Sequence, residues 1–449
     1  MAELLPLMCT RIPGPRSIAL ARQLRHCESR NITFVSDRWP IFWERAGGAN
    51  VWDADGNRYV DLTAAFGVAS VGHNNPRVVA AIRQQATKLL HAMGDVHPNE
   101  LKVQLARELV ELTFGQWCSR ASAKRGSALH RSAATTALAR VIFANSGAEA
   151  VEAALKTAAI HTKRPGVIAF TGAYHGLTYG ALAATWRNHF RGPFEAQLGH
   201  FTTHIPFGML PLVGRAGSAR RNARNGGLGE AALPHPIEHY GAVIIEPIQG
   251  RGGIIVPPDD FLPALRTFCD RHGLLLIFDE VYTGFCRTGR WFACEHWKVV
   301  PDVICVGKAM SGGFPIAACI GNKKVMDSWP ESEGEAIHTS TFLGNPLGCA
   351  ASLAAITEMK RLKLCARAEK LGAYLMSRLA KLGRVRGKGL MLGLEVGNAS
   401  RLCERLLQRG IIVIPEGDYN EVLGLTPPLT IARRQLDYCV DALAALLDR

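Results

Sequence analysis

The chain has 449 residues, 48% hydrophobic and 20% charged, with a formal net charge of +14. That composition is ordinary for a globular protein, the length exceeds one compact unit, and no apolar run is long enough for a membrane helix. The charge permits weak attraction to nucleic acid or membrane. No nucleic-acid motif accompanies it, and much of the arginine excess falls in two loop-like inserts, so the expectation is a solvated basic surface with neither as a partner.

Residues 1–40 read as an arm that packs on a partner subunit or on a smaller domain. The first 26 are acid-poor and carry Arg11, Arg16, Arg22 and Arg25, a transit-peptide composition, but Pro13 and Pro15 break the amphipathic helix such a peptide needs. The twelve cysteines include no CxxC pair and no zinc spacing, so buried free thiols in a reducing compartment are expected, and with them a cytoplasmic protein. Asp53–Asn57 (DADGN) is a hairpin signal between two short strands. VVAAIRQQATKLL and ELKVQLARELVELT, within residues 77–115, have the periodicity of two amphipathic helices. Residues 118–140 are rich in Ala, Ser and Arg without an acidic residue, which predicts an exposed insert with a disordered composition. A second such insert is expected at 213–232. Between them, VIFANSGAEAVEAALKTA reads as strand, tight turn and helix. Ser146, Gly147 and Ala148 open that helix, and free N–H groups with the helix dipole suit an anion there.

The stretch Gly241 to Pro315 holds three continuous apolar runs, Ala242–Ile245, Leu274–Phe278 and Val303–Val306. Continuity rather than alternation predicts buried parallel strands. They end in Glu246, in Asp279-Glu280 and in Lys308. In open α/β sheets, ligands sit beyond the carboxyl ends of the strands, so a carboxylate and a lysine can face one pocket. Pyridoxal phosphate chemistry asks for such a pair: a Schiff-base lysine, Lys308, and an acid beside the pyridine nitrogen, Asp279. Taken alone, the pair reads more readily as an internal ion pair. After Gly348, helices, the apolar runs GKGLMLGLEV and GIIVIPEG, and a last amphipathic helix are expected.

IIEPIQG, LLLIFDEVYTGFCRTG and VICVGKAMSGGFP, in this order and spacing, resemble the class III (ω-type) aminotransferases of fold type I, and the resemblance runs from about Pro40 to the end. It implies an α/β fold type I transferase with a mostly parallel seven-stranded sheet and a smaller α+β domain built from both termini. The divisions it suggests are 1–75, 76–345 and 346–449. It implies pyridoxal 5′-phosphate as cofactor, Lys308 and Asp279 as catalytic residues, and the turn Ser146, Gly147, Ala148 for the phosphate. Tyr174 takes the place of a stacking aromatic, His175 orients that loop, Glu246 braces the site, and Val281 presses on the other ring face. Tyr282 replaces a glutamine that bonds the ring oxygen, and a phenol is able to do the same. HTSTFLGNP (338–346) resembles a segment crossing a dimer interface, with Ser340 and Thr341 reaching the partner's phosphate; this implies a homodimer with shared sites.

Two departures concern substrate. Phe66 stands where ornithine-specific relatives carry a substrate-contacting tyrosine; as substrate residue or as core, the two readings weigh the same. VLGLTPPLTI places Gly424 where relatives hold a carboxylate with arginine, while Arg251 replaces the usual glutamate in QGRGG. Arg251 as a new carboxylate clamp and Arg251 as a surface residue are both open readings. The implied reaction moves an amino group from an amine or amino-acid donor to a keto or aldehyde acceptor. An aminomutase or decarboxylase of the same fold, or a non-catalytic dimeric scaffold, are the alternatives.

Overall fold

The apolar runs become the middle of one large sheet. The computed structural model describes residues 4–33, 38, 40–123, 138–212 and 230–447. Seven strands pair there: β1 (Ala139–Ala144), β2 (Gly166–Phe170), β3 (Thr202–Ile205), β4 (Tyr240–Ile245), β5 (Leu275–Asp279), β6 (Val303–Val306) and β7 (Ala317–Asn322). Their order is β1-β7-β6-β5-β4-β2-β3. β7 runs antiparallel to both neighbours, and the remaining pairs are parallel. Both faces are covered. Ala242, Ile244, Ile277 and Cys305 pack in one cluster with helix Gly147–Thr162. Val243, Ile245, Leu276, Phe278 and Ile304 pack in another with Phe261 and Leu265 of helix Phe261–His272. A strand buried on both sides has no polar face to alternate with, which is why these runs are continuous.

The two ends of the chain build the smaller part. Strands Trp43–Gly47, Asn50–Asp53 and Arg58–Asp61 form a sheet that Ile411–Ile412 joins in parallel. The turn between the second and third is closed by Asp53, whose Oδ1 accepts the Asn57 N–H at 2.9 Å. A C-terminal antiparallel sheet holds Val385–Lys388, Met391–Glu395, Val422–Leu425 and Ile414–Glu416 in that order. GIIVIPEG, expected as one strand, is therefore two: it changes sheets at Val413. The helices Pro346–Arg361, Leu364–Leu379, Ala399–Leu407 and Arg433–Leu447 complete this part.

Other expectations are corrected in detail. Pro15 begins a helix, Pro15–Cys27, instead of breaking one, because the first helical residue needs no N–H partner. Of the stretch 118–140, Cys118–Ala123 belongs to helix Gln116–Ala123 and Ala139-Arg140 to β1. Glu230–Ala232, the end of the second stretch, pairs in parallel with Leu210–Leu212. Residues 124–137 and 213–229, the centres of both inserts, lie outside the described residues. Among the described residues no helix is long and apolar enough to cross a membrane, and no His/Cys/Asp/Glu group is arranged to hold a metal. All twelve cysteines are free thiols.

Candidate active site

Parallel neighbours end at the same edge of a sheet, so β4, β5 and β6 bring Glu246, Asp279 and Lys308 together. Asp279, the last residue of β5, is buried. Its Oδ2 lies 2.8 Å from His175 Nδ1, and its Oδ1 accepts the Val281 N–H at 3.1 Å. His175 is fixed in turn by its own N–H, donated to Thr185 Oγ1 at 2.9 Å. A hydrogen bond between an imidazole and a carboxylate fixes the carboxylate's direction. The other nitrogen, Nε2, is buried without a hydrogen-bond partner among the described residues.

Glu246 accepts the Tyr174 N–H on Oε1 and the Gly250 N–H on Oε2, both at 3.0 Å. It ties two loops together. Burial pushes its pKa up to about 7, against the pull of His175. Lys308 sits two residues beyond β6 with φ +41, a left-handed conformation unusual for a residue with a side chain and one that concentrates at functional sites. The protein packed around it lowers its pKa by desolvation, while Asp279, Glu246 and Glu416 act in the opposite direction. Some of the residue stays open to solvent. An amine so placed is more readily neutral, and so more nucleophilic and basic, than a surface lysine.

The turn after β1 opens a helix, as the strand, turn and helix reading expects. Ser146 is the N-cap of helix Gly147–Thr162; its Oγ accepts the Glu149 N–H at 3.3 Å. The helical ladder begins with Ala150 N–H on Ser146 O, so the N–H groups of Gly147 and Ala148 precede it. Gly147 meets the edge of the site closely: a Cβ there would lie 2.8 Å from Val281 Cγ1. Ser340 reaches this turn within its own chain, its Oγ accepting from Asn145 Nδ2 at 3.0 Å. Thr341 is exposed beside it.

The structure reassigns two residues. Tyr282 does not hold its hydroxyl free. Thr426 Oγ1 donates to Thr63 O at 3.1 Å, which leaves that oxygen to accept from Tyr282 Oη at 3.1 Å. The phenol ring is wedged between Gly67 and Gly250, where a Cβ would come within 2.7 and 2.4 Å of it. What it offers the site is its face, with Lys308 Nζ 4.2 Å from the ring centroid. Phe66 is not core: it is 57% exposed. It stands in a left-handed run, Ala64 φ +47, Ala65 +49, Phe66 +59 and Gly67 +82. The buried Asp61 and Thr63 hold that run through the Ala65 N–H.

Arg251 lies close enough for its charge to act on Lys308, Tyr174 and Tyr282. Its Nη1 donates to Glu416 Oε2 at 2.9 Å and to Pro415 O at 3.3 Å. Glu416, Thr426, Thr185 and Asn145 belong to the site, and sequence reasoning did not find them. Glu416 and Thr426 enter through contacts with distant segments, Thr185 through a contact ten residues away, and Asn145 through Ser340 as well as the neighbouring turn.

The chain matches the family described as aminotransferase class-III over residues 34–447. An acetylornithine aminotransferase of Methanopyrus kandleri is 38% identical over 416 residues, covering 92% of this chain and 94% of its own. A 4-aminobutyrate aminotransferase of Mycobacterium leprae is 36% identical, covering 98% and 97%. Among solved structures, an ornithine aminotransferase of Toxoplasma gondii, with pyridoxal phosphate at partial occupancy in its active site, superposes with a TM-score of 0.77 at 29% identity, covering 95% and 93%. A lysine and a buried aspartate at neighbouring strand ends, a capped helix opening at Ser146 beside them, and a match over nearly the whole length agree: this chain belongs to the class-III aminotransferases.

Proposed function

We propose that the amino transfer of this pyridoxal phosphate-dependent enzyme runs through Lys308 and Asp279, from an amine or amino-acid donor to a keto or aldehyde acceptor. The observation that carries this reading is the convergence of the two side chains at the ends of β5 and β6. The cofactor fits the residues present. The unengaged N–H groups of Gly147 and Ala148 suit a phosphate, and the close approach of Gly147 to Val281 leaves no room for a side chain between them. Asp279, a buried carboxyl held by His175, suits the ring nitrogen. Val281 and the ring of Tyr174 suit the two faces of a flat heterocycle.

Bound pyridoxal phosphate supplies an electron sink for the bonds at the substrate Cα. Lys308 Nζ would hold the cofactor covalently and would be the base that takes the substrate Cα proton. Asp279 would stand beside the ring nitrogen, Glu246 holds the Tyr174 and Gly250 loops in place, and Tyr282 limits where the Lys308 amine can swing. Arg251 receives the carboxylate of a keto-acid acceptor, a task suited to a guanidinium with an open edge. Phe66, exposed on its left-handed turn, borders the donor's side chain.

A homodimer is part of this reading. Leu89, Leu90, Met93, Val96, Ile337 and Phe342 are exposed large apolar residues. Their two segments touch through the His91 and Phe342 rings, 5.2 Å between centroids, so they make one patch for a second copy to cover. Thr341, exposed next to Phe342 on that edge, is placed to reach a second copy, while Ser340 bonds Asn145 of its own chain. Twelve free thiols support a reducing, cytoplasmic setting.

The test is a single-turnover titration of the holoenzyme with a panel of amines and no acceptor. Loss of the cofactor's visible absorbance with one amine, and release of that amine's carbonyl product in equal amount, is expected. Release of carbon dioxide, or an isomerised amine with no carbonyl product, would replace the transamination reading with a decarboxylase or a mutase. A second result concerns the turn: Gly147→Ala is expected to weaken pyridoxal phosphate binding about tenfold, because the new methyl displaces Val281 or the turn. Fluorescence titration of apoenzyme with cofactor measures it, and an unchanged affinity removes Gly147 from the phosphate site.

A further inference from the structure

We infer that Glu416 is a positioning residue: it anchors the Arg251 guanidinium from behind, so that the open edge of Arg251 receives the acceptor's carboxylate, and Gly424 provides the space Glu416 needs. This rests on the carboxylate role of Arg251 given above.

Glu416 is fully buried, whereas the Arg251 side chain is 29% exposed, so the carboxylate lies deeper and the guanidinium faces outward. Only Nη1 is engaged, by Glu416 and by Pro415 O; Nε and Nη2 of Arg251 make no hydrogen bond among the described residues. The backbone of Arg251 is tied down as well. Its carbonyl accepts the Gly417 N–H at 3.1 Å and Arg187 Nη2 at 3.0 Å. Arg187 also donates to Gly417 O and pairs with Asp418 at 3.0 Å. Segment 415–418 therefore grips Arg251 at both ends. A guanidinium held this way loses little conformational freedom on binding an anion.

The same geometry accounts for the glycine at 424. Gly424 lies across the sheet from Ile414, in register, and a Cβ at 424 would stand 2.8 Å from Glu416 Cγ. A side chain at 424 and Glu416 in its present place exclude each other. The arginine on the QGRGG turn, its carboxylate on the strand and the glycine opposite are one arrangement rather than three separate departures. Glu416 Oε1 is buried without a hydrogen-bond partner among the described residues. The carboxylate is thus held here chiefly by its bond to Arg251.

The experiment measures binding of glutarate, a dicarboxylate that cannot react, to holoenzyme by calorimetry. Arg251→Ala is expected to weaken it roughly 10- to 100-fold, the range for hydrogen bonds to a charged group. Glu416→Ala is expected to weaken it about tenfold through misplacement of the guanidinium, and Glu416→Gln, whose amide oxygen still accepts from Nη1, to recover most of that loss. The double variant is expected to bind no more weakly than Arg251→Ala alone, because Glu416 acts through Arg251. Wild-type affinity in Glu416→Ala, additive losses in the double variant, or no recovery in Glu416→Gln would overturn the inference. Absence of glutarate binding by wild type, or unchanged binding in Arg251→Ala, would overturn the carboxylate role too, while the amine titration judges the Lys308 chemistry separately.

Discussion

Replacing Lys308 with alanine is expected to lower the amino-transfer rate by on the order of 10⁴-fold or more, since one side chain serves as both attachment point and proton carrier. Two further measurements separate this from simple damage. Reductive trapping followed by peptide mass analysis should place the cofactor on Lys308 in the wild type and nowhere in the variant. The apoprotein should become more stable, not less. Burial lowers the folded-state pKa of Lys308 below the ordinary lysine value of 10.5, so the folded chain resists carrying this proton. Stability attached to the group therefore rises with pH between the lowered value and 10.5, and is absent below it. Removing the amine relieves that cost at neutral pH, and a higher Tm is the expected sign. A variant that keeps even a hundredth of the wild-type rate, with its cofactor still covalently trapped, would require another attachment residue.

The second large effect is expected at Asp279. Asp279→Asn keeps the shape of the side chain and removes its charge. The His175–Asp279 contact at 2.8 Å then loses its ionic partner, and nothing holds a ring nitrogen protonated. A fall in rate of about 10³-fold is expected, from loss of electrostatic stabilisation aimed at the reacting system. Cofactor should still bind through the Gly147 turn and Lys308, so a loaded but slow enzyme is the predicted phenotype. His175→Ala should cost much less, because it acts only by aiming Asp279. Rates for Asp279→Asn within tenfold of wild type would remove Asp279 from the chemistry and return it to the role of an internal ion-pair partner. An equal loss in His175→Ala would mean that the histidine touches the substrate or cofactor itself.

The two variants with the largest expected effects sit at positions the sequence marks plainly. A buried parallel strand announces itself by an unbroken apolar run, and the polar residue that ends the run lies at the edge where ligands bind. Lys308, Asp279 and Glu246 follow from that rule together with the motif resemblance. The Ser146–Gly147–Ala148 turn follows from a strand that breaks into a capped helix. Each of these signals is carried by fewer than about twenty consecutive residues and depends on backbone geometry and, for the strands, on burial of both faces.

Non-local contacts are legible only after folding. The hydroxyl of Tyr282 is taken by Thr426 across 144 residues, which turns an expected hydrogen-bond donor to the cofactor into a ring face beside Lys308. The apolar run at Ile411–Glu416 divides between two sheets because each has an open edge there, a fact of assembly and not of periodicity. Phe66 is presented on a left-handed turn that Asp61 and Thr63 hold, and no local propensity predicts that conformation for Ala-Ala-Phe. Sequence alone therefore marked the sheet strands, the turn at Ser146–Ala148 and the strand-end positions of Asp279 and Lys308, since local periodicity and motif order suffice for those. The tertiary structure decided the substrate side of the site. Arg251 and Glu416, 165 residues apart, meet only because the smaller sheet docks against the QGRGG turn, and the missing side chain at Gly424 acquires its physical meaning from that contact.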